Sequence, residues 1–381
     1  MDSRVYESDS YGNESPVRSQ RRTEIGSSPR ERTTMSKASK IKSFDPNSPG
    51  DANAQMYGLP FTCAEADIVL VPVPWEVTTS YGGGTARGPE AMFDASFQVD
   101  LFHPEFPELW KRGVAMDEMP KALLQQSHAL KKEAKKVIDL LVEGGSKKDG
   151  AHAAKALKLI NAECEVMNQW VEARCGYWMD EGKLVGLVGG DHSTPLGYFR
   201  ALAKRHVSFG ILHIDAHMDL RNAYEGFTFS HASIMYNALG LKQLTKLVQV
   251  GIRDFCAQEN DVILKEDDRI NVARSADIRR QQYDGVTWKE QCDAIIRALP
   301  DAVHISFDID GLDQTLCPNT GTPVPGGLAF EDATYLLSRL AASGKKIIGF
   351  DLVEVSPGKH DEWDANVGAR MLWHLCGVLA S

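Results

Sequence analysis

The amino-acid sequence predicts an α/β domain of three layers, α/β/α, with a central, mainly parallel sheet. Two observations carry this expectation. Short apolar runs rich in β-branched residues recur along the chain, and amphipathic stretches of helical period lie between them. A strand that is apolar at every position has both faces covered, and helical crossovers that cover both faces make the sheet parallel.

The elements follow in order. Residues 1–45 are rich in Ser, Arg and Glu and nearly free of aliphatic side chains, so a disordered tail is expected there. Asp2, Glu7, Asp9, Glu14, Glu24 and Glu31 argue against an organelle transit peptide, and Met35 offers an alternative start. A single catalytic domain is expected over residues 46–381. Its first strand is the run Asp67–Val73. Helices are expected over Lys121–Glu143, where Leu123, Leu124, Leu130, Ala134, Val137, Ile138 and Leu141 recur at helical spacing, and over Ala151–Asp180, with Gly144–Gly150 separating the two. Further strands are expected at Leu184–Val188, Phe209–Ile214, Leu247–Ile252, Val303–Phe307 and Ile347–Val353.

The 381 residues are 43% hydrophobic and 25% charged, which supplies a large core. The formal net charge of −10 argues against nucleic acid or an anionic membrane as partner and suits a small cationic substrate. Seven cysteines, an odd number with no CxxC pair, read as reduced thiols. With no apolar run of membrane-spanning length and no signal-peptide pattern, a cytoplasmic location is expected.

The polar residues at the strand ends carry the chemistry. Phe209–Ile214 runs into Asp215-Ala-His217-Met-Asp219, and alternation along an extended segment sets Asp215, His217 and Asp219 on one side. Val303–Phe307 runs into Asp308-Ile-Asp310, and Leu184–Val188 into Gly189-Gly-Asp191-His192-Ser193. In open parallel sheets the functional crevice lies outside the carboxyl ends of the strands. Four carboxylates and two imidazoles gathered there need compensating cations. Two divalent metals meet that need; one imidazole per metal among oxygen donors suits Mn²⁺, with Ni²⁺, Co²⁺ and Fe²⁺ as options. A closed structural zinc site is disfavoured.

These motifs, with Ser306-Phe-Asp-Ile-Asp-Gly-Leu-Asp313, Gly321-Thr-Pro-Val-Pro-Gly-Gly327, Arg87-Gly-Pro89, Gly251-Ile-Arg253 and Val353-Glu-Val-Ser-Pro357, resemble the signatures of the ureohydrolase (arginase/agmatinase) family over roughly residues 65–378. The resemblance implies an arginase-like fold. It implies that His192, Asp215, Asp219 and Asp308 bind one metal and that Asp215, His217, Asp308 and Asp310 bind the other, with Asp215 and Asp308 bridging. It further implies a nucleophilic water activated between the metals, Asp310 handling its proton, Glu354 facing the guanidinium and His231 acting as a proton shuttle. Trimers and hexamers are the family's assemblies, so a homo-oligomer is expected. The sequence departs from the family at Gln314, Cys317 and Asn319, in a loop beside the expected substrate pocket.

The loop Trp75–Thr85, with its Gly82-Gly-Gly84 run, and the long helical stretch at about 120–180 are similar to the guanidine hydrolase branch, whose members use nickel and act on free guanidine. Trp75 and Tyr81 are candidate aromatic contacts to the cation. Free guanidine is therefore the expected substrate. Agmatine, guanidinobutyrate and guanidinopropionate are alternatives, with Arg221 a further candidate contact. A non-catalytic regulatory member of the fold and a single-zinc deacetylase are the readings from other classes.

Overall fold

Strand alternation divides the buried apolar side chains between two faces of one sheet. The computed structural model describes residues 35–51, 53–79, 81–143, 147–359 and 361–381. Among these, eight strands run at β1 Ile68–Val73, β2 Val114–Met116, β3 Leu184–Gly189, β4 Phe209–Ile214, β5 Leu244–Ile252, β6 Ile270–Arg274, β7 Ala302–Asp308 and β8 Lys346–Val353. They form a single sheet in the order β2-β1-β3-β8-β7-β4-β5-β6. Every pairing is parallel.

On one face Ile68 and Leu70 of β1, Leu212 and Ile214 of β4, and Ile305 and Phe307 of β7 join a single apolar cluster. On the other face Val69, Val71 and Val73 of β1 and Ile211 of β4 join a second. The helices are α1 Lys37–Ser43, α2 Gly88–Ser96, α3 Leu109–Arg112, α4 Lys121–Glu143, α5 Lys147–Asp180, α6 Leu196–Ala203, α7 Ile234–Leu239, α8 Ala257–Glu266, α9 Ser275–Tyr283, α10 Trp288–Ala298, α11 Phe330–Ala341 and α12 Trp363–Leu379. α10, α11 and α12 pack into the first cluster and α4, α5, α6 and α7 into the second. This is the expected three-layer arrangement. α4 forms because Leu123, Leu130, Ala134, Val137 and Ile138 fall on one buried stripe.

Two strands escape the sequence pattern, β2 and β6, and they are the two edges of the sheet. An edge strand pairs on one side only, so β2 needs just three residues and β6 is only partly buried. α5 begins at Lys147, before the expected Ala151, and includes Gly150.

The expected tail reached residue 45, but its last part is ordered, a correction to that boundary. α1 packs Ile41, and Phe44 beyond it, against the first cluster. Lys37 Nζ binds Asp67 Oδ1 at 2.6 Å and Lys40 Nζ binds Glu65 Oε2 at 2.6 Å. The two apolar side chains and two ion pairs supply contacts that the composition of the whole segment does not display. The rest of that tail, residues 1–34, lies outside the described residues. Residues 37–381 form one compact unit. No helix among the described residues is long and apolar enough to cross a membrane, and all seven cysteines are free.

Candidate metal centre

The sheet order sets four chemically loaded strand ends side by side. β3 leads to His192, β8 to Glu354, β7 to Asp308 and Asp310, and β4 to Asp215, His217 and Asp219. Because β8 lies between β3 and β7, Glu354 is set between the strand ends that carry His192 and Asp308.

All six residues expected to bind metal come together, in two groups joined by Asp215. In the first, His192 Nδ1 lies 3.0 Å from Asp215 Oδ2, 3.1 Å from Asp219 Oδ2 and 3.2 Å from Asp308 Oδ2. In the second, His217 Nδ1 lies 3.4 Å from Asp215 Oδ1 and 3.2 Å from Asp310 Oδ2. Backbone groups aim the carboxylates. Asp215 Oδ1 accepts His217 N–H at 2.6 Å, Asp308 Oδ1 accepts Asp310 N–H at 2.8 Å, and Asp310 Oδ1 accepts Ala216 N–H at 3.0 Å. Asp219 and Glu354 sit at φ of 53° and 61°, a left-handed backbone that costs about 1 kcal/mol or more for residues with a Cβ. Asp219 is held in it by its carbonyl, which accepts Met235 and Tyr236 N–H at 3.1 Å.

A buried polar seam supports the cluster from the α4–α7 side of the sheet. His192 Nε2 lies 3.0 Å from Ser306 Oγ, which donates to Asp351 Oδ1 at 2.9 Å; His304 Nε2 holds Asp351 Oδ2 at 2.7 Å. With Ser306 donating to Asp351, His192 Nε2 carries a proton and Nδ1 is the nitrogen turned toward the carboxylates. His213 is also within ligand distance of the first group, but both its ring nitrogens are engaged. Nε2 is 2.7 Å from Asp215 Oδ2, and Gln249 Nε2, which also donates to Met218 O, lies 2.9 Å from Nδ1. His213 therefore positions Asp215. His213, Gln249, His304, Ser306 and Asp351 were not singled out by the sequence reading; their signal was a polar residue at alternating positions inside otherwise apolar strands.

The electrostatics fit a pair of cations. Asp215, Asp219, Asp308 and Asp310 are all buried. Burial, then Asp310 and Asp215, hold the Asp308 carboxyl well above its usual range, and burial with Asp215 raises Asp219 to about 6. Burial opposes a charge on His192, yet Asp215, Asp219 and Asp308 outweigh it and hold the imidazole well above its usual range. Such a cluster gathers positive charge. Meanwhile His192 Nδ1 makes no hydrogen bond despite the three oxygens around it. A buried ring nitrogen set among three carboxylates, on a ring whose other nitrogen is fixed, is an arrangement a divalent cation would fit.

Beside the cluster lies a cavity of about 150 Å³ lined by His217, Asp219, Arg221, Tyr224, His231, Ala232, Asp254, Phe255, Glu259 and Thr322. Ser230 starts the turn that carries His231, its side chain accepting Ala232 N–H. Burial and the neighbouring His217 and His192 push the His231 imidazole down to about 3, so it is a neutral acceptor. Arg221 stacks over Tyr224 at 4.8 Å and lies 3.8 Å from Glu259. Glu354 is buried; its Oε1 accepts His192 N–H at 2.9 Å, and its Oε2 has no partner. Burial, then Asp191, raise its carboxyl well above the usual range.

The expected aromatic contacts are corrected. Trp75 is fully buried in the second apolar cluster, where its large apolar surface is removed from water. Tyr81 is 72% exposed. Neither lines the cavity; Tyr224 and Phe255 supply its rings. In the loop that departs from the family pattern, Asn319 N and Nδ2 each bond the Asp364 carboxylate at 2.9 Å, and buried Cys317 reaches Ile309 O at 3.2 Å. The departures tie this loop to α12 and to the turn after β7.

Comparison with known proteins agrees with this geometry. The model of the Arginase family matches residues 66–377. An N(1)-aminopropylagmatine ureohydrolase of Thermus thermophilus is 30% identical over 321 residues, covering 82% of this chain and 90% of that protein. An agmatinase of Proteus mirabilis is 30% identical over 306 residues, covering 79% and 83%. Among solved structures, the agmatine ureohydrolase of Thermoplasma volcanium aligns with a TM-score of 0.64 at 23% identity, over 90% of this chain and 97% of that one. The arginase of Bacillus subtilis aligns with a TM-score of 0.56 at 19% identity, over 82% and 98%.

Proposed function

Because the chain belongs to the arginase family, whose members are binuclear-metal ureohydrolases acting on guanidino groups, we propose that its substrate is free guanidine, converted with one water to urea and ammonia. The observation that carries this reading is the cavity. It measures about 150 Å³ and has the Arg221 guanidinium in its wall. Guanidinium has no tail to accommodate in a cavity of this size, whereas agmatine carries a four-carbon amine that needs room beyond the guanidinium. The glycine-rich loop and long helices that resemble the guanidine hydrolase branch support the same choice.

In this reading His192, Asp215, Asp219 and Asp308 would hold one divalent cation, and Asp215, His217, Asp308 and Asp310 would hold the other. When bound, such a pair would offset the carboxylates and make water acidic enough to act as nucleophile near neutral pH. Glu354 orients the substrate: its free Oε2 accepts from a planar guanidinium, a charge-assisted bond strengthened by burial. Asp310 takes the proton of the attacking water at Oδ2, beside His217 and Thr322, and returns it to the departing nitrogen. His231, in the cavity wall, is given the proton-shuttle role on the family resemblance alone. We assign Ni²⁺ from the branch resemblance and Mn²⁺ as the family alternative, since the donor set suits both. A homo-oligomer, trimer or hexamer, is proposed on the family resemblance.

The second reading is an agmatine-type substrate. The relatives' names favour it, and Asp254 in the cavity wall offers a carboxylate to a terminal ammonium. Urea release is to be compared on guanidine, agmatine, guanidinobutyrate and arginine, after reconstitution with Ni²⁺ and with Mn²⁺. Turnover of agmatine with none of guanidine overturns the proposed substrate. Two metals per chain with no turnover of any guanidino compound overturns catalysis.

A further inference from the structure

Behind Glu354 lies a second buried group of charges that the metal centre does not use. Glu76, Asp191 and Glu354 are each 3% exposed or less. Asp191 Oδ1 accepts from Ser193 N and Oγ, while Asp191 Oδ2 and Glu354 Oε2 have no partner. Lys131 of α4 brings a cation to that side. Its Nζ pairs with Glu76 Oε1, and burial lowers its affinity for a proton while Asp191 and Glu354 oppose that loss.

Glu76 is the fastening point of the glycine-rich loop. Its Oε2 accepts Gly84 N–H at 2.8 Å and Ala86 N–H at 3.2 Å, and its Oε1 accepts Thr79 Oγ1 at 3.2 Å. Ser127, one helical turn before Lys131, lies with its Oγ 2.8 Å from Glu76 N and accepts its proton. One face of α4 thus holds both the backbone and the carboxylate of Glu76. On its other side the loop meets the site. A Cβ added at Gly82 would lie 2.4 Å from Gly321 O, and one at Gly321 would lie 3.0 Å from Glu354 Oε2. Ser356 Oγ donates to Gly83 O at 3.1 Å. Gly82, Gly321 and Glu354 are therefore stacked without room for a methyl group between them.

We propose that Lys131 is a positioning and specificity residue of the guanidinium site: through Glu76 it locks the Gly82–Ala86 turn against Gly321, closing the Glu354 end to any substituent on the nitrogens bound there. The proposal rests on the guanidino-hydrolase reading. Closure at this end excludes guanidines substituted on two nitrogens, whichever tail the cavity mouth admits. It also keeps water from the orphaned Glu354 oxygen, which strengthens its bond to the substrate.

The test compares Lys131→Met, Lys131→Arg and Glu76→Gln with the natural protein, each reconstituted with metal. Readouts are metal content, KM and kcat on guanidine, and turnover of guanidine relative to 1,3-dimethylguanidine. In Lys131→Met, KM is expected to rise about tenfold or more with kcat within about threefold, metal content unchanged, and selectivity against the dimethyl compound to fall about tenfold. Lys131→Arg restores both, because it keeps the ion pair. A merely structural lysine would lower the amount of folded protein without moving KM or selectivity. Unchanged KM and selectivity in a metal-loaded Lys131→Met protein overturn the proposal. If that variant does not fold, Glu76→Gln, which removes the charge and keeps the shape, carries the same expected and overturning results. If the natural protein prefers another guanidino compound, the comparison uses that compound and its N′-methyl derivative. Failure of the guanidine assignment then leaves the Lys131 test standing.

Discussion

The main-chain N–H of His192 donates to Glu354 Oε1 at 2.9 Å. One oxygen of the proposed guanidinium acceptor is thereby hinged on a proposed metal ligand, and the other has no partner. In the proposed reading, a single joint between the ends of β3 and β8 would set both substrate and metal position.

Glu354→Gln keeps the hinge, because an amide oxygen still accepts the His192 N–H, and removes the charge. Loss of a charge-assisted bond of about 1.5–3 kcal/mol predicts a fall in kcat/KM of about 10- to 100-fold. Metal content stays as in the natural protein. Steady-state kinetics alongside elemental analysis check this, and an unaltered kcat/KM contradicts the role of Glu354.

Removing metal with a chelator leaves Asp215, Asp219, Asp308 and Asp310 buried together without compensating cations. A ligand present at about 1,000 times its Kd stabilises the fold that binds it by about 4 kcal/mol. Calorimetry is expected to show a lower Tm after chelation, restored by Ni²⁺ or Mn²⁺. A Tm indifferent to both treatments rules out a metal centre in this cluster.

Ser306→Ala strands two partners at once, His192 Nε2 and Asp351 Oδ1. The His192 ring loses the contact that fixes its tautomer, and metal affinity is expected to drop about 10- to 100-fold. Competition with a chromophoric chelator measures it. An affinity unchanged by the substitution removes Ser306 from the support of the site.

On α12, His374 has its Nε2 3.2 Å from Ser338 Oγ and 3.2 Å from Thr334 O. Burial, then His103, push its imidazole down to about 4. The folded state thus binds this proton less readily than the unfolded chain, whose value is about 6.5. The contribution is fully present above about pH 6.5 and is lost as pH falls toward 4. It amounts to about 3 kcal/mol. Chemical denaturation across that window is expected to show a shallower loss in His374→Gln than in the natural protein; parallel profiles contradict it.

Much of the molecule is legible in one dimension. β1, β3, β4, β5, β7 and β8 lie where apolar β-branched runs stand, since a fully covered strand shows its burial in consecutive residues. The metal-centre residues stand immediately after three of those runs, because a parallel sheet collects its chemistry at one edge. The edge strands β2 and β6 were missed because one-sided pairing leaves a weak pattern. The boundary of α1 was missed because Ile41 and Phe44 gain their partners only in the folded chain. Trp75 and Tyr81 were expected to face a cation, since residue type alone does not tell which side of a loop meets the core.

The α/β class, the family and the six residues that gather at the strand ends can be read from the chain alone, because all depend on local pattern and motif. That β8 lies between β3 and β7, that His213 and the Ser306–Asp351 pair brace the clustered side chains, and that Lys131 meets Glu76 emerge with folding. Those relations join residues far apart in the chain. The physical reason is that a buried charge or lone pair takes whichever partner chain folding brings within hydrogen-bond reach, and no spacing in the sequence encodes that distance.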